Sequence, residues 1–384
     1  MTQLIESLLG GISIGSVLLL SALGLAIVFG LMGVINMAHG ELMMIGAYTT
    51  FVVQNGLKET PFADLYIFFA LIVAFGITAL LGLLLERSVV RFLYGRPLET
   101  LLATWGVSLI LQQFVRSVSW QFMAALGLFC LVFFGGWAVL DRLNQMQRFK
   151  RWILTIWVPM SAAIALSLAG VMGNQFQLAV TQPWFGTQGV DVTAPQWLRG
   201  GLPILQGYQL PFSRLFIIVL AGVCIAGIFA FLNRTNWGLK IRAVTQNRNM
   251  SACLGIPTRT VDALTFALGS GLAGVAGCGV ALLGSVSSNT GQAYIVDTFM
   301  VVVVGGVGKL VGSIVAALTI GILQYAIGSN TFGNLLGFND AITGFFEFFA
   351  TSSMAKVFIF ALIVVFLQFR PAGLFPQKGR TVDA

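Results

Sequence analysis

The chain has 384 residues, of which 57% are hydrophobic and only 9% are charged, against about 25% charged in a soluble globular domain. So few polar side chains cannot clothe a water-facing fold of this size, so the solvent for most of the molecule is lipid. A net charge of +8, from 21 basic and 13 acidic residues, would suggest nucleic acid in a soluble protein, but the cations sit in short connectors between apolar runs and no nucleic-acid partner is expected.

Eleven apolar segments of spanning or near-spanning length follow in order: 10–32, 40–54, 63–85, 98–117, 122–140, 152–172, 213–232, 262–283, 294–306, 310–328 and 355–369. A helix needs about 20 apolar residues to cross a hydrocarbon core of about 30 Å. The pattern predicts an all-α, polytopic transmembrane bundle of roughly 10–11 segments, some discontinuous. Residues 1–10 lack a basic leader and carry Glu6, so the first span is expected to remain in the mature protein.

The connectors orient the bundle. Arg87, Arg91 and Arg96 follow the third segment, and Arg142, Arg148, Lys150 and Arg151 the fifth. Arg234, Lys240, Arg242, Arg248 and Arg259 follow the seventh, and Arg370, Lys378 and Arg380 the last. All of these follow odd-numbered segments, which predicts a cytoplasmic basic side, an external N-terminus and a cytoplasmic C-terminus. The opposite side receives 54–61, 173–212 and 329–354. Residues 173–212, with Trp184 and Trp197, read as an irregular extracytoplasmic loop.

Two interruptions mark the short segments. Residues 33–41 (Gly-Val-Ile-Asn-Met-Ala-His-Gly-Glu) break one apolar stretch, and 305–309 (Gly-Gly-Val-Gly-Lys) break another. Breaks at membrane depth need protein or a water-filled cavity around them, and in transporters they point to the solute path. The first break fits either a buried path or a tight surface loop. Lys309 favours a loop for the second.

Asn36, His39 and Glu41 are the leading candidates for the solute path, because ionisable groups inside a bilayer are costly and are kept for function or pairing. Capping of a helix start by Glu41 is the structural alternative. Thr104, Ser108 and Gln112 recur every four residues and share one helix face, as pore lining or as helix–helix glue. Tyr294, Asp297 and Thr298 form a weaker third set. Residues 269–274 (Gly-Ser-Gly-Leu-Ala-Gly) match a dinucleotide fingerprint in form, but an apolar helix is the wrong context and close helix packing fits better. Residues 306–310 carry Leu310 where a phosphate loop needs Ser or Thr. No catalytic set, metal site or cofactor is expected in this chain; one histidine and the scattered Cys130, Cys224, Cys253 and Cys278 offer no ligand spacing.

In the connector 233–260, Ala243, Gln246, Asn247, Met250 and Leu254 fall at helical spacing, with Arg242 and Arg248 accessible. This predicts a short docking helix along the membrane's inner face. Two glycosylation-type triplets, at 233–235 and 249–251, lie in the same loop and read as chance matches.

The stretches 33–41, 101–104 with 106–112, 242–256, 301–308 and 370–375 together resemble the permease subunit of the branched-chain amino acid and urea/amide ABC importers. Residues 186–192 and 195–201 are similar to the external loop of the urea type. The resemblance implies a single permease domain over 1–384, with 119–175 as an inserted helical pair. It implies a second homologous permease subunit, two cytoplasmic ATPases carrying ATP and magnesium, and an external solute-binding protein, in a bacterial inner membrane. Arg242, Ala243, Asn247, Ala252, Gly255 and Ile256 would then couple to an ATPase. The expected cargo is a small polar solute, with urea first and a branched-chain amino acid as alternative. A passive urea or amide channel and a membrane enzyme using His39 and Glu41 are the competing functions.

Overall fold

A computed structural model describes residues 2–119, 122–125, 127–130, 189–205, 208–331 and 350–375, with isolated positions at 160, 163, 167 and 184. Backbone proximity divides the chain into two compact units, Met1–Leu109 with Asp191–Ala384, and Ile110–Val190. Within the smaller unit, the Phe114 and Phe122 rings meet edge to face. The expected spans 122–140 and 152–172, and the expected insertion 119–175, fall mainly outside the described residues.

The described helices are α1 (Thr2–Met32), α2 (His39–Leu57), α3 (Tyr66–Ser88), α4 (Pro97–Ser117), α5 (Phe212–Arg234), α6 (Asn236–Gln246), α7 (Arg248–Cys253), α8 (Thr258–Ala281), α9 (Thr290–Gly305), α10 (Leu310–Gly328) and α11 (Ser352–Phe369). Six helical stretches, containing α1, α3, α4, α5, α8 and α10, are long and apolar enough to cross a membrane. The molecule is therefore an all-α, multi-span bundle.

Burial ranks the spans. The apolar windows of α1 and α8 are 83% and 89% buried, whereas those of α3, α4 and α5 are 22–28% buried. The first two form the centre, and the others leave most of their surface uncovered by the described residues. Helix α4 shows both faces: Thr104, Ser108 and Gln112 are buried, while Leu98, Leu102, Trp105 and Ile110 are exposed.

Small residues let α8 serve as the hub. A Cβ on Gly269 would press on Gly24 of α1, one on Gly271 on Phe75 of α3, and one on Gly277 would overlap Met43 of α2. Close backbone approach of this kind replaces the hydrophobic drive that lipid does not supply. Residues 269–274 are thus a packing stripe, as their apolar setting indicated.

The loop between the fourth and fifth described helices is not wholly irregular. Strands β1 (Gly201–Leu205) and β2 (Tyr208–Pro211) pair antiparallel. The Trp197 ring stacks on Phe68 of α3 and meets Phe216 of α5 edge-on, while its Nε1 donates to the Asp64 carbonyl. At the other end of the bundle, Gly306 and Gly308 turn the chain between α9 and α10 with positive φ. The segment after α11 folds over that turn: Leu374 N donates to the Val304 carbonyl at 2.8 Å, and Phe375 N to the Gly305 carbonyl at 3.3 Å. Lys309 is exposed, so this second interruption is a loop, as expected.

Candidate functional site

The first interruption is buried. Helix α1 stops at Met32, Gly33 takes φ +69°, and Val34, Asn36 and Ala38 are each under 5% exposed. The chain then turns back into the bundle. His39 Nε2 donates to the Ser21 carbonyl at 3.0 Å, and Ser21 lies eleven residues before the end of α1, about 16 Å along it at 1.5 Å per residue. Helix α2 therefore begins beside the middle of α1.

Helix α9 begins at the same level. Gly291, its second residue, meets Gly40 backbone to backbone. Two half-helices thus start face to face at Gly40 and Gly291, α2 after the buried connector 33–38 and α9 after a connector in which Ser285 and Asn289 are exposed. The sequence reading marked the interruption after α9; the polar start before it, over 285–290, is the counterpart of 33–38. That signal lay in Ser285, Ser287, Ser288, Asn289 and Thr290, a run of small polar residues between two apolar segments.

Side chains from four helices meet here. Glu41 Oε1 accepts from Ser108 Oγ of α4 at 3.1 Å. Thr104 Oγ1 accepts from Met37 N at 3.1 Å, and Asn36 Oδ1 accepts from Ala38 N at 3.1 Å, which holds the connector. Thr298 Oγ1 of α9 donates to Ser21 Oγ of α1 at 2.9 Å. Thus Asn36, His39, Glu41, Thr104, Ser108 and Thr298, which the sequence placed in three separate sets, belong to one polar cluster. Gln112, further along α4, is buried. Ser21 and Gly291 were missed: one serine or glycine in an apolar run carries no signal of its own.

Asp297 is separate from this hydrogen-bonded cluster. Its carboxylate pairs with Lys356 of α11 at 2.8 Å. Lys356 opens an otherwise apolar helix and was not singled out in the sequence.

The cluster has unused capacity. Glu41 Oε2, His39 Nδ1 and Asn36 Nδ2 are buried without hydrogen-bond partners among the described residues. Because the Ser21 carbonyl can only accept, His39 carries its proton on Nε2, leaving Nδ1 as an acceptor. Buried polar groups are ordinarily satisfied, so these atoms leave hydrogen-bonding capacity in the cluster unused. A cavity of about 260 Å³ lies at the α8–α9 turn, lined by Leu283, Ser285, Ser287, Asn289, Thr290 and Tyr294 among others. Gly291 separates it from Glu41: a Cβ there would stand 2.7 Å from Oε2.

The 233–260 connector forms two helices in place of one. Asn247 leaves helical geometry at φ −151° and caps α7, its Oδ1 accepting from Met250 N at 3.0 Å. Helical spacing continues through the break, which hid it. Arg242 Nη1 donates to Asn233 Oδ1. Ala243 is half-buried, Asn247, Ala252 and Gly255 are exposed, and Ile256 packs on the core. Leu239, Met250 and Leu254 are 59–75% exposed.

The family model described as branched-chain amino acid transport system / permease component matches residues 7–367. The chain belongs to that family. It is 25% identical over 377 residues to the high-affinity branched-chain amino acid transport system permease protein BraD of Pseudomonas aeruginosa, covering 96% of this chain and 95% of the relative. It is 25% identical over 324 residues to the LivH permease protein of Escherichia coli, covering 83% and 84%. A probable branched-chain amino acid permease protein of Methanocaldococcus jannaschii is 26% identical over 167 residues, 43% of this chain and half of that one. No solved structure matches the chain. The molecule is accordingly a multi-pass inner-membrane permease component, the non-catalytic part of such a transport system.

Proposed function

We propose that this permease carries a branched-chain amino acid inward by alternating access, driven by two partner ATPases and fed by an external solute-binding protein. The observation that carries the reading is the pair of half-helix starts at Gly40 and Gly291, with the unpartnered Glu41 oxygen behind a thin glycine wall. Discontinuous helices meeting inside a bundle are where transporters hold substrate. An α-amino acid has an ammonium group for Glu41, a carboxylate for the positive dipole end that opens α9, and an aliphatic chain for Val280, Leu283 and Ala293 of the cavity wall.

The basic connectors support a cytoplasmic side carrying α6 and α7, with the N-terminus outside and the C-terminus inside. Arg242, Ala243, Asn247, Ala252, Gly255 and Ile256 belong to the ATPase-facing surface, to which Leu239, Met250 and Leu254 add apolar area. At the opposite end, a cavity of about 370 Å³ carries Lys58 and Arg199 together with Asp64 and Asp191. Opposed charges in one basin suit the docking of a solute-binding protein.

Urea remains the second reading, because the neutral hydroxyl and amide groups of Asn36, Thr104, Ser108 and Thr298 suit an uncharged amide. Uptake of labelled leucine and labelled urea into cells lacking the chromosomal gene separates the two. Complementation of leucine uptake supports the first reading; urea uptake restored with leucine uptake absent overturns it.

A further inference from the structure

The charged groups at the basic end of the bundle form a connected set that the solute path does not use. Arg248 opens α7, and its Nη2 lies 2.6 Å from Asp262 Oδ2 in the second turn of α8. The same guanidinium sits 4.9 Å from the centre of the Tyr94 ring, in the α3–α4 connector. Tyr94 in turn donates its phenol proton to Glu86 Oε1 at 3.1 Å, in the last turn of α3. Burial, reinforced by the Asp262 and Glu86 carboxylates, holds that phenol well above its usual range, so it stays a donor. Glu86 and Asp262 are both buried, while Arg248 reaches solvent.

We propose that Arg248 is the positioning residue that ties α7 to the spanning helices, so that a push on α7 moves α8 and α3 together. The inference rests on the reading of 233–260 as the ATPase-facing loop. A six-residue helix does not hold itself in place, so α7 moves with whatever it is fastened to. The fastening holds because separating the pair would leave the buried Asp262 carboxylate without its counter-charge. It is also specific, since a flat guanidinium can lie over a ring while its charge stays at ion-pair distance from a carboxylate. Helix α8 is the hub on which α1, α2 and α3 pack, and α2 carries Glu41. The neighbouring cavity of about 270 Å³, lined also by Arg91, Phe92 and Arg259, gives the set room to shift without breaking.

The test uses the complete transporter in proteoliposomes, with its ATPase and solute-binding subunits. Arg248→Gln is expected to retain the ATPases and substrate-stimulated ATP hydrolysis, while labelled-leucine uptake per ATP falls at least tenfold. Arg248→Lys keeps the charge and loses the flat stack, and is expected to recover part of the ratio; Tyr94→Leu should reproduce the partial loss. The double variant Arg248→Met with Asp262→Leu, which replaces the pair by apolar packing, should melt near the wild type and still be uncoupled. An unchanged uptake-to-ATP ratio in intact complexes of Arg248→Gln, or normal coupling in the double variant, overturns the proposal. Leu254→Asp serves as the separate check on the loop itself. If it leaves ATPase binding intact, the docking surface lies elsewhere; if it abolishes binding while Arg248→Gln couples normally, only the role of Arg248 is lost.

Discussion

Gly40 and Gly291 touch backbone against backbone, and no side chain larger than hydrogen fits at either position. The contact fixes two helix starts at one level and leaves no side chain between Glu41 and Gly291.

Gly291→Ala is therefore expected to block transport. Its methyl group would press on Glu41 Oε2 and on the Gly40 backbone, and overpacking of this sort costs about 1–3 kcal/mol. Membrane levels should remain near normal, with leucine uptake reduced more than tenfold. Gly76→Ala is the control, since nothing lies within 4 Å of the added carbon, and it should transport normally.

Ser108→Ala removes the partner of Glu41 Oε1 and leaves a buried carboxylate with both oxygens unsatisfied. The expected destabilisation is about 1–3 kcal/mol, read as a lower melting temperature in detergent. Ser108→Thr retains the hydroxyl and should cost less. Glu41→Gln should weaken apparent affinity for leucine more than it lowers stability.

Lys356→Met strands Asp297, which is 8% exposed. Breaking a fully buried pair costs about 3–5 kcal/mol, but Lys356 is 37% exposed and screening lowers the loss to about 1–2 kcal/mol. Adding Asp297→Asn should restore most of the stability. A double variant no more stable than Lys356→Met alone would refute the pairing.

Gly255 takes φ +80° with open space around it, so only backbone strain opposes a side chain. Gly255→Ala should cost about 1–2 kcal/mol and Gly255→Asn less, as measured by protease sensitivity of the 233–260 connector. Asn247→Ala removes the cap of α7 and should cost about 1 kcal/mol, with uptake per ATP falling in parallel.

Much of this was readable from the residues. Apolar length revealed the spans, and the four-residue stripe of Thr104, Ser108 and Gln112 gave the inward face of α4 directly. The break at 33–41 stood out because charge and amide groups interrupt hydrocarbon. What escaped were relationships between distant positions. Arg248 and Asp262 are 14 residues apart with the α7–α8 turn between them, and Glu86 and Tyr94 belong to another part of the chain; composition says nothing of which charge meets which. The split at Asn247 was masked by a periodicity that survives a single non-helical residue. Hairpin β1–β2 sits in a segment whose glycines and prolines read more naturally as loop.

The position of α2 also bears on how the molecule enters the bilayer. Unlike α1, α2 is not apolar enough to qualify as a span, and it carries Glu41 at its first turn. Released alone into hydrocarbon, it would expose a carboxylate and an uncapped helix start. Partition into lipid must then await α1, whose Ser21 carbonyl receives His39. In the folded protein the polar start of α2 is thus sheltered by α1, and a change that loosens the two helices would uncover it.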